Sequence, residues 1–326
     1  MNILIVSKSR IPAFLYGGIE RITWWLGKEL AKMGHQVTYL VNEGSTCPFA
    51  KVICRDYTVP LESQVPVDID VVHFQYPIVD FSLRPFIVTI HGNNDASVQL
   101  SRNSVFISKD HAKRHHAETY IYNGIDIEEY GAPDFRIRRD YFHFLGKAAW
   151  RIKNVQGAID VALKAKERLE VLGGNRLNIT MGFRFTLSSR IRFRGIVGGE
   201  EKNAYLRASR GLIFPVRWHE PFGIALIESL YFGCPVFGTP YGSLPEIVVQ
   251  GMGVLSDSLG TLSDALKDVN DFDRKKCHEY VCDQFLAATM TRSYVELYER
   301  VLNGRILNST TPYIKESNEK FLPWRD

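Results

Sequence analysis

Short apolar runs recur along this chain, each closing on a polar residue and followed by a glycine- or proline-bearing loop and then a stretch of helical period. Residues 2–6 (N-I-L-I-V) end at Ser7, and an amphipathic stretch over 19–33 follows a Pro/Gly-rich loop. An unbroken apolar run marks a strand buried on both faces, which is a parallel strand in a sheet covered by helices. The same unit returns at 36–41, 69–74, 86–90, 104–107 and 119–122. A second series opens at 141–145. It continues with a helical pattern over 154–172, strand-like runs at 177–181, 192–197, 211–216 and 235–238, and a last helical pattern over roughly 273–302. Between the series, G-A-P-D-F-R-I-R-R-D (131–140) is charged and has neither period, as suits a linker. The pattern predicts an α/β chain of two Rossmann-like, doubly wound parallel-sheet domains. The expected division is 1–133, a linker at 134–140, 141–300, and a tail at 301–326 that packs back on the first domain. Two such domains facing a central cleft would bind ligands at the carboxyl ends of both sheets.

At 326 residues the chain can bury two cores without staples. Its five cysteines (Cys47, Cys54, Cys234, Cys277, Cys282) form neither a C-x-x-C pair nor a zinc spacing, so free thiols in a reducing, cytoplasmic setting are expected. The N-terminus carries no basic leader or small-residue cleavage site, and no stretch reaches membrane-spanning length, so a soluble protein is expected. The net charge of +4 is mild, but basic residues bunch at 136–139 and 184–194. That suits anionic ligands or surfaces, while no motif supports nucleic acid. Trp24 and Trp25 lie among Arg21, Lys28 and Lys32. Such a face could make peripheral contact with the inner face of a membrane, although at least one of the two indoles is expected in the core.

The stretch H-E-P-F-G-I-A-L-I-E (219–228) sets two carboxylates across a Pro-Phe-Gly corner, after a strand and at the start of an expected helix over 222–232. A helix N-terminus carries unpaired N–H groups and a partial positive charge, so the amides of Phe222, Gly223 and Ile224 suit a phosphate. Glu220 and Glu228 would then flank that site, one for a sugar and one for a ribose, because a carboxylate accepts well from vicinal hydroxyls. Glu220 as a helix cap and Glu228 on a solvated face is the plainer alternative; the apolar neighbours Ala225, Leu226, Ile227 and Leu230 argue against it for Glu228. The loop G-K-A-A-W-R-I-K-N (146–154) supplies Lys147, Arg151 and Lys153 for a diphosphate, with Asn154 as a helix cap. Gly17 and Gly18 in L-Y-G-G-I-E offer further amides, and His91 in T-I-H-G follows a strand.

These residues carry a resemblance. The chain resembles the GT-B-fold, retaining glycosyltransferases of family 4, also called glycosyl transferases group 1. The likeness runs over most of its length. It is strongest in the E-x7-E pair Glu220 and Glu228 with the following S-L-Y-F-G-C-P-V-F-G-T and G-S-L-P-E-I-V (242–248). It is weaker in G-G-I-E, D-I-D-V-V-H (68–73), T-I-H-G and N-G-I-D (123–126). The resemblance implies that Glu228 binds the ribose, Glu220 and His91 the donor sugar, and Gly18 with the 222–224 amides the phosphates. Lys147 and Lys153 match the family's Arg and Lys phosphate grip, with Lys147 in place of the Arg; that exchange makes it a point charge or brings in Arg151. Val197 is assigned to the base pocket by the same analogy.

A metal-independent retaining glycosyltransferase is therefore expected. It would take a nucleoside-diphosphate sugar, UDP or GDP foremost, and pass the sugar to a glycan, lipid-linked or small-molecule acceptor, with no cofactor. A role in surface polysaccharide or lipopolysaccharide assembly rests on family analogy. The alternatives are a silent nucleotide-sugar-binding scaffold or a same-fold epimerase. A phosphorylase needs a longer chain with a pyridoxal-phosphate lysine, and an oxidoreductase lacks its G-x-G-x-x-G. The D-x-D of Asp68 and Asp70 opens a strand and is discounted as a metal motif, as are His111 and His115, which lack a third ligand. The Asn178 and Asn308 sequons carry no meaning without secretion.

Overall fold

The computed structural model describes residues 1–13, 17–179, 184–314 and 321–326. The chain forms two compact units, Met1–Asp126 with Phe285–Ser317, and Ile127–Gln284 with Asn318–Asp326. The first begins with β1 (Asn2–Val6), α1 (Gly18–Lys32), β2 (Gln36–Val41), β3 (Lys51–Cys54), β4 (Val71–Phe74), β5 (Phe86–Ile90), β6 (Ser104–Phe106) and α2 (Lys109–Arg114). All six strands are parallel, in the order β3-β2-β1-β4-β5-β6. The apolar runs explain this, since Val71–Phe74 and Phe86–Ile90 are buried at every position. In α1 the spacing of Ile22, Trp25, Leu26 and Leu30 makes one buried face.

The second unit contains β7 (Tyr141–Leu145), α3 (Val155–Lys164), β8 (Leu169–Leu172), β9 (Leu177–Asn178), β10 (Arg184–Phe185), β11 (Ile191–Phe193), α4 (Gly199–Arg207) and β12 (Ser209–Phe214). It continues with α5 (Ile224–Tyr231), β13 (Val236–Gly238), α6 (Leu244–Ile247), β14 (Gly253–Leu255), α7 (Leu259–Ala265) and α8 (Arg274–Gln284). Its parallel sheet, β11-β8-β7-β12-β13-β14, repeats the strand permutation of the first. Phe142, Phe144, Ile159, Val171, Ile213 and Phe237 lie in its core.

The long helix expected over 273–302 is two helices. Leu286 takes an extended conformation (φ −82°, ψ 147°) before α9 (Ala287–Leu302), and pairs as a strand would with Ile125. Ile125 N–H donates to Phe285 O and Ala287 N–H to Ile125 O, both at 2.9 Å. Gly124 permits the approach, since a Cβ there would stand 2.3 Å from Leu286 O. From this break α9 joins the first unit, packing on α1 and β5. Its Tyr298 hydroxyl meets His73 Nδ1 at 2.8 Å, and its Tyr294 hydroxyl meets Thr89 Oγ1 at 2.9 Å. So residues 285–300, expected in the second domain, belong to the first unit. The expected linker 134–140 lies within the second, because Arg139 clamps Ser209 O at 2.9 Å and Phe232 O at 2.8 Å. The tail divides as well: Asn308 Nδ2 donates to Ser104 O at 2.8 Å, whereas Arg217 Nε in the second unit donates to Leu322 O at 2.8 Å. Residues 315–320 of that tail lie outside the described residues.

Smaller departures have local causes. The pattern over 154–172 is one helix followed by the strand L-E-V-L, the turn between them made by Lys166 at φ 60°. Residues 119–122 contribute a single bridge, Phe106 to Tyr120. In the run 177–181, Leu177–Asn178 pairs antiparallel with β10, while Thr180 and Met181 lie outside the described residues. The edge strands β3 and β14 are only partly buried, so no unbroken apolar run marks them in the sequence.

His143, at the middle of β7, is fully buried between the hydroxyls of Ser209 (2.7 Å) and Ser229 (2.8 Å). Burial pushes its pKa down to about 3. The unfolded chain, with an ordinary imidazole near 6.5, takes up the proton first, so stability is full above about pH 6.5 and falls as pH drops toward 3. Urea unfolding should show a shallower loss of stability between pH 7 and 5 in His143→Gln than in the parent. Equal slopes would mean that this imidazole does not contribute.

Candidate functional site

Open parallel sheets bind ligands where the strand order reverses, beyond the carboxyl ends of the strands. In the second unit that point lies between β7 and β12. The loop 146–153 after β7 and the turn 215–223 after β12 are therefore neighbours. Arg217 N–H donates to Ile152 O at 2.8 Å and Asn154 Nδ2 to Pro215 O at 2.9 Å. Asn154 also caps α3, accepting from Gly157 N–H at 3.1 Å.

This stitching brings Lys153 to Glu220, Nζ to Oε2 at 2.5 Å, with Lys153 9% and Glu220 6% exposed. The indole N–H of Trp218 donates to the same oxygen at 2.8 Å, and Lys153 Nζ lies 4.7 Å over the Trp218 ring. A buried ion pair must offset the desolvation of two charges, and added hydrogen bonds complete the compensation. Glu220 is thus no helix cap. Its backbone is held by the next loop: Ser243 N–H donates to Glu220 O at 2.9 Å and Ser243 Oγ to Phe222 O at 2.7 Å. Gly242, at φ +65°, packs so closely that a Cβ would stand 2.3 Å from Glu220 N. The role of G-S-L-P-E is therefore to seat Glu220.

Helix α5 starts at Ile224, two residues later than expected. Gly223 turns into the left-handed region (φ 82°) as its cap, and Phe222, 1% exposed, precedes it. Of the three residues expected to offer helical amides, only Ile224 is helical. Glu228 lies in a cluster apart from Glu220. It is 4% exposed, and its Oε1 accepts from the Tyr130 hydroxyl at 2.6 Å and from Lys202 Nζ of α4. Lys147 is exposed with Nζ 5.0 Å over the Trp150 ring. Arg151 lies 5.0 Å over the Phe321 ring and lines a cavity of about 340 Å³ with Trp150, Arg217 and Trp324. Val197 is buried between β11 and α4.

In the first unit the reversal lies between β1 and β4. Gly17 caps α1 and Gly18 opens it; Leu15 and Tyr16 of the same motif lie outside the described residues. The Glu20 carboxylate packs on Gly17, where a Cβ would stand 2.6 Å from Oε2, and Ser9 Oγ donates to its Oε1 at 2.9 Å. His91, directly after β5, has Nε2 2.8 Å from Oε1 of Gln75, directly after β4. Burial pushes its pKa down to about 4, so it is neutral near pH 7. With an amide oxygen as partner, Nε2 carries the proton and Nδ1 the lone pair. The discounted motifs have structural roles: Asp70 accepts from Asn2 N–H at 2.7 Å, and His111 and His115 are buried against Phe106. Trp25 is fully buried and Trp24 packs 4.7 Å from Phe49, edge to face.

The sequence alone did not single out Trp218, Tyr130, Lys202 or Gln75. Trp218 is adjacent to the motif and could have been suspected; the other three are remote from the groups they touch.

Residues 139–270, which contain the Lys153–Glu220–Trp218 cluster, match the family described as glycosyl transferases group 1. A curated relative, the N-acetyl-alpha-D-glucosaminyl L-malate synthase of Bacillus anthracis, is 27% identical over 123 residues, 34% of this chain and 32% of that protein. The chain spans 32% or less of the length of the curated relatives it matches. Among solved structures, AviGT4, a glycosyltransferase involved in avilamycin A biosynthesis, superposes with a TM-score of 0.78 at 21% identity, over 93% of this chain and 98% of that one. HepE of Anabaena, solved with UDP-glucose, gives 0.65 at 15% identity over 92% and 99%. These likenesses show the fold: two parallel-sheet, Rossmann-like units of the GT-B glycosyltransferases. Within residues 139–270, Glu220 and Lys153 form one buried cluster, and Glu228 lies in another.

Proposed function

We propose that the chain is a retaining, metal-independent glycosyltransferase that moves a sugar from a nucleoside diphosphate, UDP or GDP, to an acceptor hydroxyl. The observation that carries this reading is the buried Lys153–Glu220–Trp218 cluster at the strand reversal within residues 139–270, which match the group 1 family. A relative of the same fold binds UDP-glucose. In this reading Glu220 holds donor-sugar hydroxyls, Glu228 the ribose, and Lys147, Lys153 and the Ile224 amide the diphosphate, with Arg151 and Val197 bordering the donor. No carboxylate serves as a covalent nucleophile. The anomeric C–O bond breaks with its electron pair going to the diphosphate, and the acceptor oxygen bonds to the same face of that carbon. Its proton passes to a leaving phosphate oxygen. Cations and backbone amides stabilise the charge as it develops, each such group being worth a few kcal/mol. No cofactor is required.

A glycan, a lipid-linked glycan or a small molecule would be the acceptor, and surface polysaccharide or lipopolysaccharide assembly the setting. Among the described residues no helix is long and apolar enough to cross a membrane. Peripheral contact at the inner membrane face would have to use the exposed side of α1, because Trp25 is spent on the core.

The test is thermal shift against UDP, GDP, ADP and CMP, with and without EDTA, on the parent and Glu228→Ala. A ligand at a hundred times its Kd adds about 2.7 kcal/mol. One diphosphate should stabilise the parent, ignore EDTA and lose its effect in the variant. No response overturns the reading and leaves a silent scaffold; a response only with metal overturns it in favour of a metal-dependent site.

A further inference from the structure

Two side chains from distant parts of the sequence converge on one oxygen of Glu228. Tyr130 lies four residues after Asp126, where the first segment of the first unit ends, and Lys202 stands on α4, yet both donate to Oε1. The three are buried together: Tyr130 is 1% exposed, Glu228 4% and Lys202 5%. Lys202 Nζ lies 4.9 Å over the Tyr130 ring, so each donor also fixes the other. The backbone that carries Tyr130 is tied to α4, since Asn203 Nδ2 donates to Glu129 O at 2.9 Å. A buried carboxylate held by one donor can still turn about its last torsion and exchange its oxygens. With Oε1 held by donors from two different elements of the chain, it keeps its plane.

We propose that Lys202 and Tyr130 are positioning residues that fix the Glu228 carboxylate for recognition of a ribose cis-diol, and so set selectivity for ribonucleotide over 2′-deoxyribonucleotide donors. This rests on the donor-site reading above. A vicinal diol is read by direction as well as by charge, because two hydroxyls must both meet lone pairs. A carboxylate free to turn still attracts hydroxyls but no longer distinguishes two from one. The pair thus acts on a difference in affinity, which separates positioning from a plain structural role.

The experiment is calorimetric titration of UDP, GDP and ADP and their 2′-deoxy forms into the full chain. The variants are Tyr130→Phe, Lys202→Met, Lys202→Arg, Glu228→Gln and the double exchange Lys202→Met with Glu228→Leu, which removes both buried charges and guards against misfolding. The ribonucleotide that binds the parent should bind about tenfold tighter than its deoxy form, the worth of a hydrogen bond to a charged group. In Tyr130→Phe and Lys202→Met that ratio should fall toward one through weaker ribonucleotide binding, with the deoxy form unchanged; Lys202→Arg should restore part of it. The double exchange should show a ratio of one. An unchanged ratio in folded Tyr130→Phe and Lys202→Met, or equal weakening of both forms, overturns the positioning role while the donor site stands. If Glu228→Gln binds every nucleotide as the parent does, the ribose reading itself fails, and the positioning role falls with it.

Discussion

Lys153→Met and Glu220→Gln should each destabilise the chain by about 3–5 kcal/mol, while the two exchanges together should destabilise it by clearly less than their sum. The reason is the asymmetry of a buried pair. Both partners lie almost wholly out of water, with side chains 11% and 7% exposed, and Nζ reaches Oε2 at 2.5 Å. Removing one leaves the other charged and unpaired in a low-dielectric pocket; removing both leaves only a rearranged, less polar pocket. The two losses are unequal. Without Lys153 the buried carboxylate stays charged and keeps the indole N–H bond at 2.8 Å but no cation, whereas in Glu220→Gln the amide oxygen still accepts from Lys153 Nζ beside the faces of Trp218 and Phe214. Lys153→Met should therefore be the more costly of the two. Urea unfolding of the parent, both single variants and the double variant closes the cycle, and additive losses would mean that the pair is not coupled. Sugar transfer should fall by about two to three orders of magnitude in either variant, as when one stabilising group is removed from a developing charge. A single-turnover measurement on material first shown to be folded separates the two losses.

How much of this was legible in the sequence depends on the range of the interaction. The buried strands carried their own signal, because Val71–Phe74 and Phe86–Ile90 are apolar at almost every position, and a both-face-buried strand needs no partner to be recognised. Lys153, Glu220 and Glu228 were found from local loops after strands. Their partners were another matter. Nothing near Lys202 in G-E-E-K-N-A-Y-L-R distinguishes it from a solvated helix lysine, and only the packing of α4 beside α5 brings it to Glu228. The return of the chain to the first unit was hidden in the same way. The amphipathic pattern continues through Phe285 and Leu286, and what breaks the helix is pairing with Ile125, about 160 residues earlier in the chain.

Gly242→Ala should lower stability by at least about 2 kcal/mol, well beyond what its backbone angle alone would cost, and should weaken donor binding without touching any proposed ligand group. Gly242 sits at φ +65°, and a Cβ there would stand 2.3 Å from Glu220 N and 2.4 Å from Glu220 O. The obstacle is backbone, so no side-chain rotation relieves it. Gly251 provides the control: its φ is +86°, yet a Cβ there would meet nothing within 4 Å. Gly251→Ala therefore reports the left-handed strain by itself, about 1–2 kcal/mol. The difference between the two variants measures how tightly the G-S-L-P-E loop seats Glu220. Any shift of that backbone also strains the Ser243 bonds to Glu220 O and Phe222 O, at 2.9 and 2.7 Å, and through Glu220 the bonds to Lys153 and Trp218. Urea midpoints of both variants, with nucleotide titrations alongside, decide the matter. If Gly242→Ala matches Gly251→Ala in both, the close approach is slack and the loop plays no part in fixing Glu220. A larger loss confined to Gly242→Ala would mean that the carboxylate's position is built from the backbone of the following loop as much as from its own ion pair.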